Sequence, residues 1–149
     1  MPLPKGYTVR APAAKDHLKY TETLKVLTKV GDITPEQFQD VVYTWEKNPE
    51  IYFPRVIVDE SDTVVATGML VVEQKIIHAC GKVGHIEDIA VSKSEQGKRL
   101  GDHMISMLTE IAKEQGCYKV ILDCSPENVG FYEKCGYQGA GIEMAHRFD

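Results

Sequence analysis

A chain of 149 residues fits a single domain with one core, and 43% hydrophobic with 26% charged residues is the balance of an ordinary globular protein, neither disordered nor fibrous. A formal net charge of −5 excludes the basic face that a general nucleic-acid binder needs, while leaving room for a local basic pocket that holds a small anion. The opening residues carry two prolines and no apolar run, so no secretory signal is expected, and the near-apolar stretch 64–72 is far too short to span a membrane. Cys80, Cys117, Cys124 and Cys135 form no CxxC pair and have no histidine at zinc-ligand spacing, which points to reduced thiols, no metal and a cytoplasmic protein.

No repeat, linker or low-complexity tract divides the chain, so residues 1–149 read as one domain. A short strand is predicted at 7–10, ended by Pro12, and a helix over 16–29 with an apolar stripe of Leu18, Leu24, Val26 and Leu27, stopped by Gly31. Thr34-Pro35-Glu36-Gln37 is a helix start with three cues: a threonine cap, proline at the first helical position, and a glutamine to close a capping box. Phe38, Val41, Val42 and Trp45 are its expected buried stripe. The period then shortens: 55–59 and 63–73 read as an antiparallel hairpin about the turn Glu60-Ser61-Asp62, with a third strand at 82–91.

From Gly101 the period is helical again, with Met104, Ile105, Leu108, Ile111 and Ala112 on one stripe and Gly116 closing the helix. A strand at 119–124, a short helix at 128–135 ended by Gly136, and a last strand at 142–148 complete the order. That succession predicts an α/β fold, a mixed central sheet flanked by helices.

Two segments are chemically unusual. Gly84-His85-Ile86-Glu87-Asp88-Ile89-Ala90-Val91 places three titratable side chains in a strand that should be largely buried; Glu87 and Asp88 would face opposite sides unless a bulge intervenes. Gln96-Gly97-Lys98-Arg99-Leu100-Gly101-Asp102 then leads from that strand into the periodic helix. A glycine-containing turn at a helix N-terminus offers free N–H groups and the positive end of the dipole, and Lys98 and Arg99 add charge, which suits a pyrophosphate. Asp123, Asn128, Phe131 and Tyr132 follow a strand end, where a tyrosine can donate a proton. Lys75, His78, Lys119 and Arg147 are anion-compatible, and spacing alone does not bring them together.

The strand, the Gln-x-x-Gly-x-Gly-like loop, the helix and the later Asn-x-x-Phe-Tyr segment resemble the GNAT superfamily of acetyl-CoA-dependent N-acetyltransferases, with Arg99 where the central glycine of the loop normally stands. Longer segments, among them Thr21-Glu22-Thr23-Leu24-Lys25-Val26-Leu27-Thr28, Lys75-Ile76-Ile77-His78, Cys117-Tyr118-Lys119 and Asn128-Val129-Gly130-Phe131-Tyr132-Glu133-Lys134-Cys135-Gly136, resemble the eukaryotic glucosamine-6-phosphate N-acetyltransferase family. That resemblance implies transfer of acetyl from acetyl-CoA to D-glucosamine 6-phosphate in a ternary complex, a step of UDP-N-acetylglucosamine biosynthesis, without metal.

It also implies roles. Ile89, Ala90 and Val91 would hold the pantetheine arm and thioester, the loop from Gly97 to Asp102 the pyrophosphate, and Asp123, Asn128 and Tyr132 the rest of the channel. Thr28, Lys75, Ile76, Ile77, His78, Glu87, Asp88, Tyr118, Lys119 and Arg147 would meet the sugar phosphate. Glu87 or Asp88 would accept the amine proton and Tyr132 would serve the departing thiolate. A homodimer that exchanges its C-terminal strand, with the sugar site at the interface, is implied as well. The alternatives are an acetyltransferase for another amine, such as a polyamine or a protein lysine, and a non-catalytic acetyl-CoA sensor.

Overall fold

Five strands form one sheet in the order β1-β2-β3-β4-β5 in a computed structural model that describes residues 2–149. They are β1 (Thr8–Arg10), β2 (Tyr52–Val58), β3 (Val64–Gln74), β4 (Lys82–Val91) and β5 (Cys117–Ile121). The first four run antiparallel as a meander and β5 joins β4 in parallel, so the sheet is mixed, as the sequence predicts. The β2–β3 turn forms because the Asp59 carboxylate accepts from the Ser61 and Thr63 N–H groups while Asp62 takes a positive φ.

Helices cover both faces. α1 (His17–Leu24) and α2 (Pro35–Lys47) pack on one side, where Tyr20, Phe38 and Val42 meet Val56, Val58 and Val64. The capping box forms as the sequence indicates: Thr34 Oγ1 accepts from the Gln37 N–H at 3.1 Å and Gln37 Oε1 from the Thr34 N–H at 2.9 Å. Of the stripe expected on α2, Phe38 and Val42 are buried and Val41 is exposed, because the contact with the sheet is narrow.

On the other side lies α4 (Leu100–Glu114), whose Leu100, Met104, Ile105, Leu108 and Ala112 complete the larger core with Ile57, Leu70 and Ile86. Two short elements remain, the one-turn α3 (Ile77–Cys80) and α5 (Val129–Lys134). No helix among the described residues is long and apolar enough to cross a membrane.

Two expectations are corrected. The helix predicted over 16–29 ends at Leu24, after which Lys25, Val26 and Leu27 donate three residues back in tight turns. Its buried face carries Tyr20 and Thr23, while Leu18, Val26 and Leu27 are exposed, so nothing buried holds the β-branched end helical. The strand predicted at 142–148 has no regular structure in this chain; Ile142, Met144 and Phe148 are 91%, 90% and 95% exposed, since no neighbouring strand of the chain is placed to pair with them.

One buried carboxylate fixes the entry to α1. Arg10 donates from Nη1 and Nη2 to the two oxygens of Asp16 at 2.8 Å each, and the Ala13 N–H donates to Asp16 at 2.7 Å. Burial works against ionisation there, but these bonds prevail and hold the Asp16 carboxyl below its ordinary range. The group's contribution is therefore present above the unfolded-state pKa and lost as pH falls through the folded-state one. Asp16→Asn should cost about 1–3 kcal/mol in urea unfolding at neutral pH, with the gap to the parent protein closing in acid; an equal gap at both pH values would contradict this role.

Candidate active site

The two carboxylates of β4 are brought together by a bulge. Met69 pairs with Glu87 and Thr67 with Ala90, so Asp88 and Ile89 together oppose the single residue Gly68. Before the bulge Gly84 and Ile86 face α4, and after it Ile89 and Val91 do. Gly68 makes room for this: a Cβ there would lie 2.7 Å from Met104 and 2.9 Å from Ile89. Asp88 adopts a left-handed φ of 54°, and Thr67 Oγ1 donates to its carbonyl at 3.0 Å.

Glu87 thus points away from α4, and the charge of Asp88 is felt at Tyr20 on α1, so both carboxylates sit on the α1 side. Contrary to the burial expected of this strand, Glu87 and Asp88 are exposed to solvent; partial desolvation still raises the pKa of Glu87, and the charges of Asp88, Asp123 and Glu143 raise it further against an opposing effect of His85. A carboxylate raised in this way is a stronger base than an ordinary one.

The loop before α4 has the geometry its glycines suggest. Gly97 and Arg99 both have positive φ, at 89° and 62°. Arg99, standing at the usual glycine position, adopts the left-handed conformation that glycine adopts freely. The first helical bond is donated by the His103 N–H to the Arg99 carbonyl, leaving the N–H groups of Leu100, Gly101 and Asp102 without intrahelical partners.

The side-chain cations are differently placed from what the sequence suggests. Lys98 donates to Glu95 at 2.7 Å and to Tyr7 at 3.0 Å, and those bonds, Glu95 foremost, raise its pKa. Arg99 donates to Asp102 at 2.8 Å. The anion-binding capacity of the loop therefore rests on its backbone and helix dipole more than on mobile charge.

Beyond the loop the sheet opens. β4 and β5 stay paired only as far as His85 and Ile121, while β4 continues to Val91, so Ile89, Ala90 and Val91 have no strand partner on that edge, although Gln96 Nε2 donates to the Val91 carbonyl at 3.2 Å. A cleft of about 460 Å³ runs along β5 and the chain that follows it, lined by Lys119, Asp123, Cys124, Tyr132, Tyr137 and Glu143 among others, and by no residue of β4 or of the loop 97–102. Tyr132 and Phe131 meet edge to face at 4.9 Å, and Phe131 packs beside Gly101 in the first turn of α4. Burial raises the pKa of Tyr132 and keeps its phenol protonated. Asn128 donates to Ser125 at 3.3 Å, bracing the turn that leads into α5.

The remaining predicted residues form separate groups. His78 stacks on Tyr118 with ring centroids 4.0 Å apart, and Lys119 lies 5.9 Å from the centre of the same ring. Lys75 and His85 share the carboxylate of Glu73, at 3.1 and 2.9 Å. Ile76 and Ile77 are exposed beside them. Thr28 stands beyond the end of α1, and Arg147 is paired with Asp149 at 3.0 Å in the C-terminal segment; among the described residues no hydrogen bond or ion pair joins either to the rest. Tyr7 and Glu95 carry no local sequence signal, being 88 positions apart. A second hollow of about 300 Å³ between α2 and β2 contains none of the predicted residues.

A strand end followed by a glycine-containing loop that opens a helix is the arrangement of an anion-binding α/β protein. Residues 20–137 match the acetyltransferase (GNAT) family, and the chain belongs to that family, whose chemistry uses acetyl-CoA. Similarity extends further. A glucosamine 6-phosphate N-acetyltransferase of Candida albicans is 60% identical over 149 residues, covering 99% of this chain and 100% of that protein. One from Arabidopsis thaliana is 41% identical over 131 residues, covering 87% of this chain and 88% of its own. A crystal structure of glucosamine-6-phosphate N-acetyltransferase from Arabidopsis thaliana superposes with a TM-score of 0.93 at 38% identity, over 97% of this chain and 100% of that one.

Proposed function

We propose that the protein transfers the acetyl group of acetyl-CoA directly to the amine of D-glucosamine 6-phosphate, giving N-acetyl-D-glucosamine 6-phosphate and CoA. The observation that carries this reading is the bulge that sets Glu87 and Asp88 side by side at the open β4 edge, taken with the near full-length similarity to proteins named for this reaction. The residues present fit the co-substrate: the N–H groups of Leu100, Gly101 and Asp102, free of intrahelical partners, suit its pyrophosphate, and the edge of Ile89, Ala90 and Val91, without a strand partner, suits the amides of a pantetheine arm. Acetyl-CoA supplies the acetyl group as a reactive thioester.

Glu87, whose proton affinity partial desolvation and neighbouring charge raise, accepts the proton of the attacking amine, and Asp88 helps orient that amine. A backbone N–H at Ala90 or Val91 stabilises negative charge developing on the carbonyl oxygen, a contribution typically worth about a hundredfold to a thousandfold in rate. Tyr132 donates its phenolic hydrogen toward the departing sulfur, and Asp123 and Asn128 line the same channel. Cys117, Cys124 and Cys135 take no covalent part. Lys75, His78, Tyr118, Lys119 and, from a second copy, Thr28 or Arg147 supply the sugar-phosphate contacts.

The dimer belongs to this proposal. Ile142, Met144 and Phe148 alternate with polar or small residues in a segment that has no strand to pair with in its own chain. Sedimentation should give a dimer for the full chain and a monomer after removal of residues 142–149; a monomeric full chain would contradict this.

A polyamine substrate is the second reading, favoured by the grouping of Glu87 with Asp88, Asp123 and Glu143, whereas Lys75 and Arg147 are already paired with carboxylates. Thiol release from acetyl-CoA separates the readings, using glucosamine 6-phosphate, glucosamine, spermidine and a lysine peptide. The proposal requires a clear preference for the phosphorylated sugar. Equal release with glucosamine, or preference for spermidine, would contradict it.

A further inference from the structure

Six non-glycine residues among those described have positive φ, and three of them are consecutive: His78, Ala79 and Cys80, at 54°, 55° and 61°. An unbroken left-handed run of ordinary residues persists only where the surroundings over-determine it. Burial does not hold this one, because Ile76 and Ile77 beside it are 83% and 56% exposed.

We propose that Gln74 is a positioning residue, whose side-chain amide latches this turn and thereby sets the lip of the sugar-phosphate site. The inference rests on the substrate reading given above.

Gln74 closes β3 at the foot of the turn, and its Nε2 donates to three carbonyls across it: Lys75 at 3.0 Å, Cys80 at 2.9 Å and Gly81 at 3.3 Å. The backbone adds bonds from the Lys75 N–H to the Gly81 carbonyl at 2.9 Å, from the Cys80 N–H to the Ile76 carbonyl at 2.9 Å and from the Gly81 N–H to the Ile77 carbonyl at 3.0 Å. Tyr118 of β5 holds the opposite side. Its ring stacks on His78, and a Cβ at position 81 would lie 2.7 Å from its Cδ1, so only glycine leaves room for it.

Lys75, at the start of the same turn, shares Glu73 with His85, and His85 lies two residues from Glu87 on the same face of β4. Release of the latch would move Lys75, His78 and Tyr118 together, and the catalytic pair and the loop before α4 would stay in place. The effect belongs to binding of the phosphorylated sugar and not to binding of acetyl-CoA.

Gln74→Glu keeps the shape and removes both donors. We expect the KM for glucosamine 6-phosphate to rise about tenfold, a change of the size local strain commands, with the KM for acetyl-CoA and the melting temperature unchanged. Adding Ala79→Gly should restore the KM, because glycine takes positive φ without strain. An unchanged KM in Gln74→Glu overturns the latch, as does a rise shared by both substrates that Ala79→Gly fails to reverse.

Should Gln74→Glu not fold, the parent protein decides: saturating glucosamine 6-phosphate should slow amide exchange at Cys80 and Gly81, and no slowing overturns the proposal. The parent's preference for glucosamine 6-phosphate over glucosamine tells the two claims apart. Without that preference both fall, and with it an unaffected Gln74→Glu removes the latch alone.

Discussion

Tyr132→Phe should turn over about a hundredfold more slowly than the parent, the usual scale for removing one acid or charge-stabilising donor from a transition state. The ring is retained against Phe131, and its hydroxyl makes no hydrogen bond to another described residue, so the melting temperature should stay as it is. The KM for acetyl-CoA should change little, because the hydrogen bond to sulfur strengthens only as charge develops there. Steady-state kinetics with a melting curve are sufficient. Full turnover by a well-folded Tyr132→Phe would remove Tyr132 from the scheme.

Glu87→Gln should lower kcat by about a hundredfold or more and at the same time make the protein harder to unfold at neutral pH. The second effect follows from the direction of the pKa shift. Partial desolvation first, and then the charges of Asp88 and Asp123, favour the protonated form of Glu87 in the folded state; the side chain is exposed, so solvent screening keeps the effect on stability small. Its contribution to stability is fully present below the ordinary carboxylate pKa and is lost as pH rises through the raised one, so the ionised group opposes folding at neutral pH. Glutamine stays uncharged throughout, and the gain in melting temperature over the parent should vanish in acid.

Asp88→Asn is the control. A carboxylate that orients the amine should cost activity less severely than the base does. If Asp88→Asn abolishes turnover while Glu87→Gln leaves it intact, the two roles are exchanged.

Much of the architecture was legible because local signals agreed with their surroundings. The Thr34–Gln37 capping box forms bond for bond, and the stripe Met104, Ile105, Leu108 and Ala112 faces the core. The stripe read on α1 failed because apolar spacing says nothing about which neighbour covers it; Tyr20 and Thr23 face the sheet instead. The strand at 142–148 has the right alternation and no partner within the chain, and alternation is only a condition for pairing.

In the site, the segment from Glu87 to Val91 and the loop from Gly97 to Asp102 stood out by composition. The bulge that makes them useful depends on Gly68, about twenty residues earlier in the chain, where a side chain would strike Met104. Equally invisible was the bond from Lys98 to Tyr7, 91 positions away, because long-range partners leave no mark on local spacing.

The central claim is direct transfer from acetyl-CoA to a sugar amine, without an acyl-enzyme. It is tested most directly by supplying acetyl-CoA labelled with ¹³C in the acetyl group together with glucosamine 6-phosphate, and following the label by NMR and intact-protein mass spectrometry. The label is predicted to appear as an N-acetyl amide on the phosphorylated sugar, with one equivalent of free CoA and no acetylated protein at any time. Acetyl held on a cysteine, or CoA released with no amide formed, would contradict it.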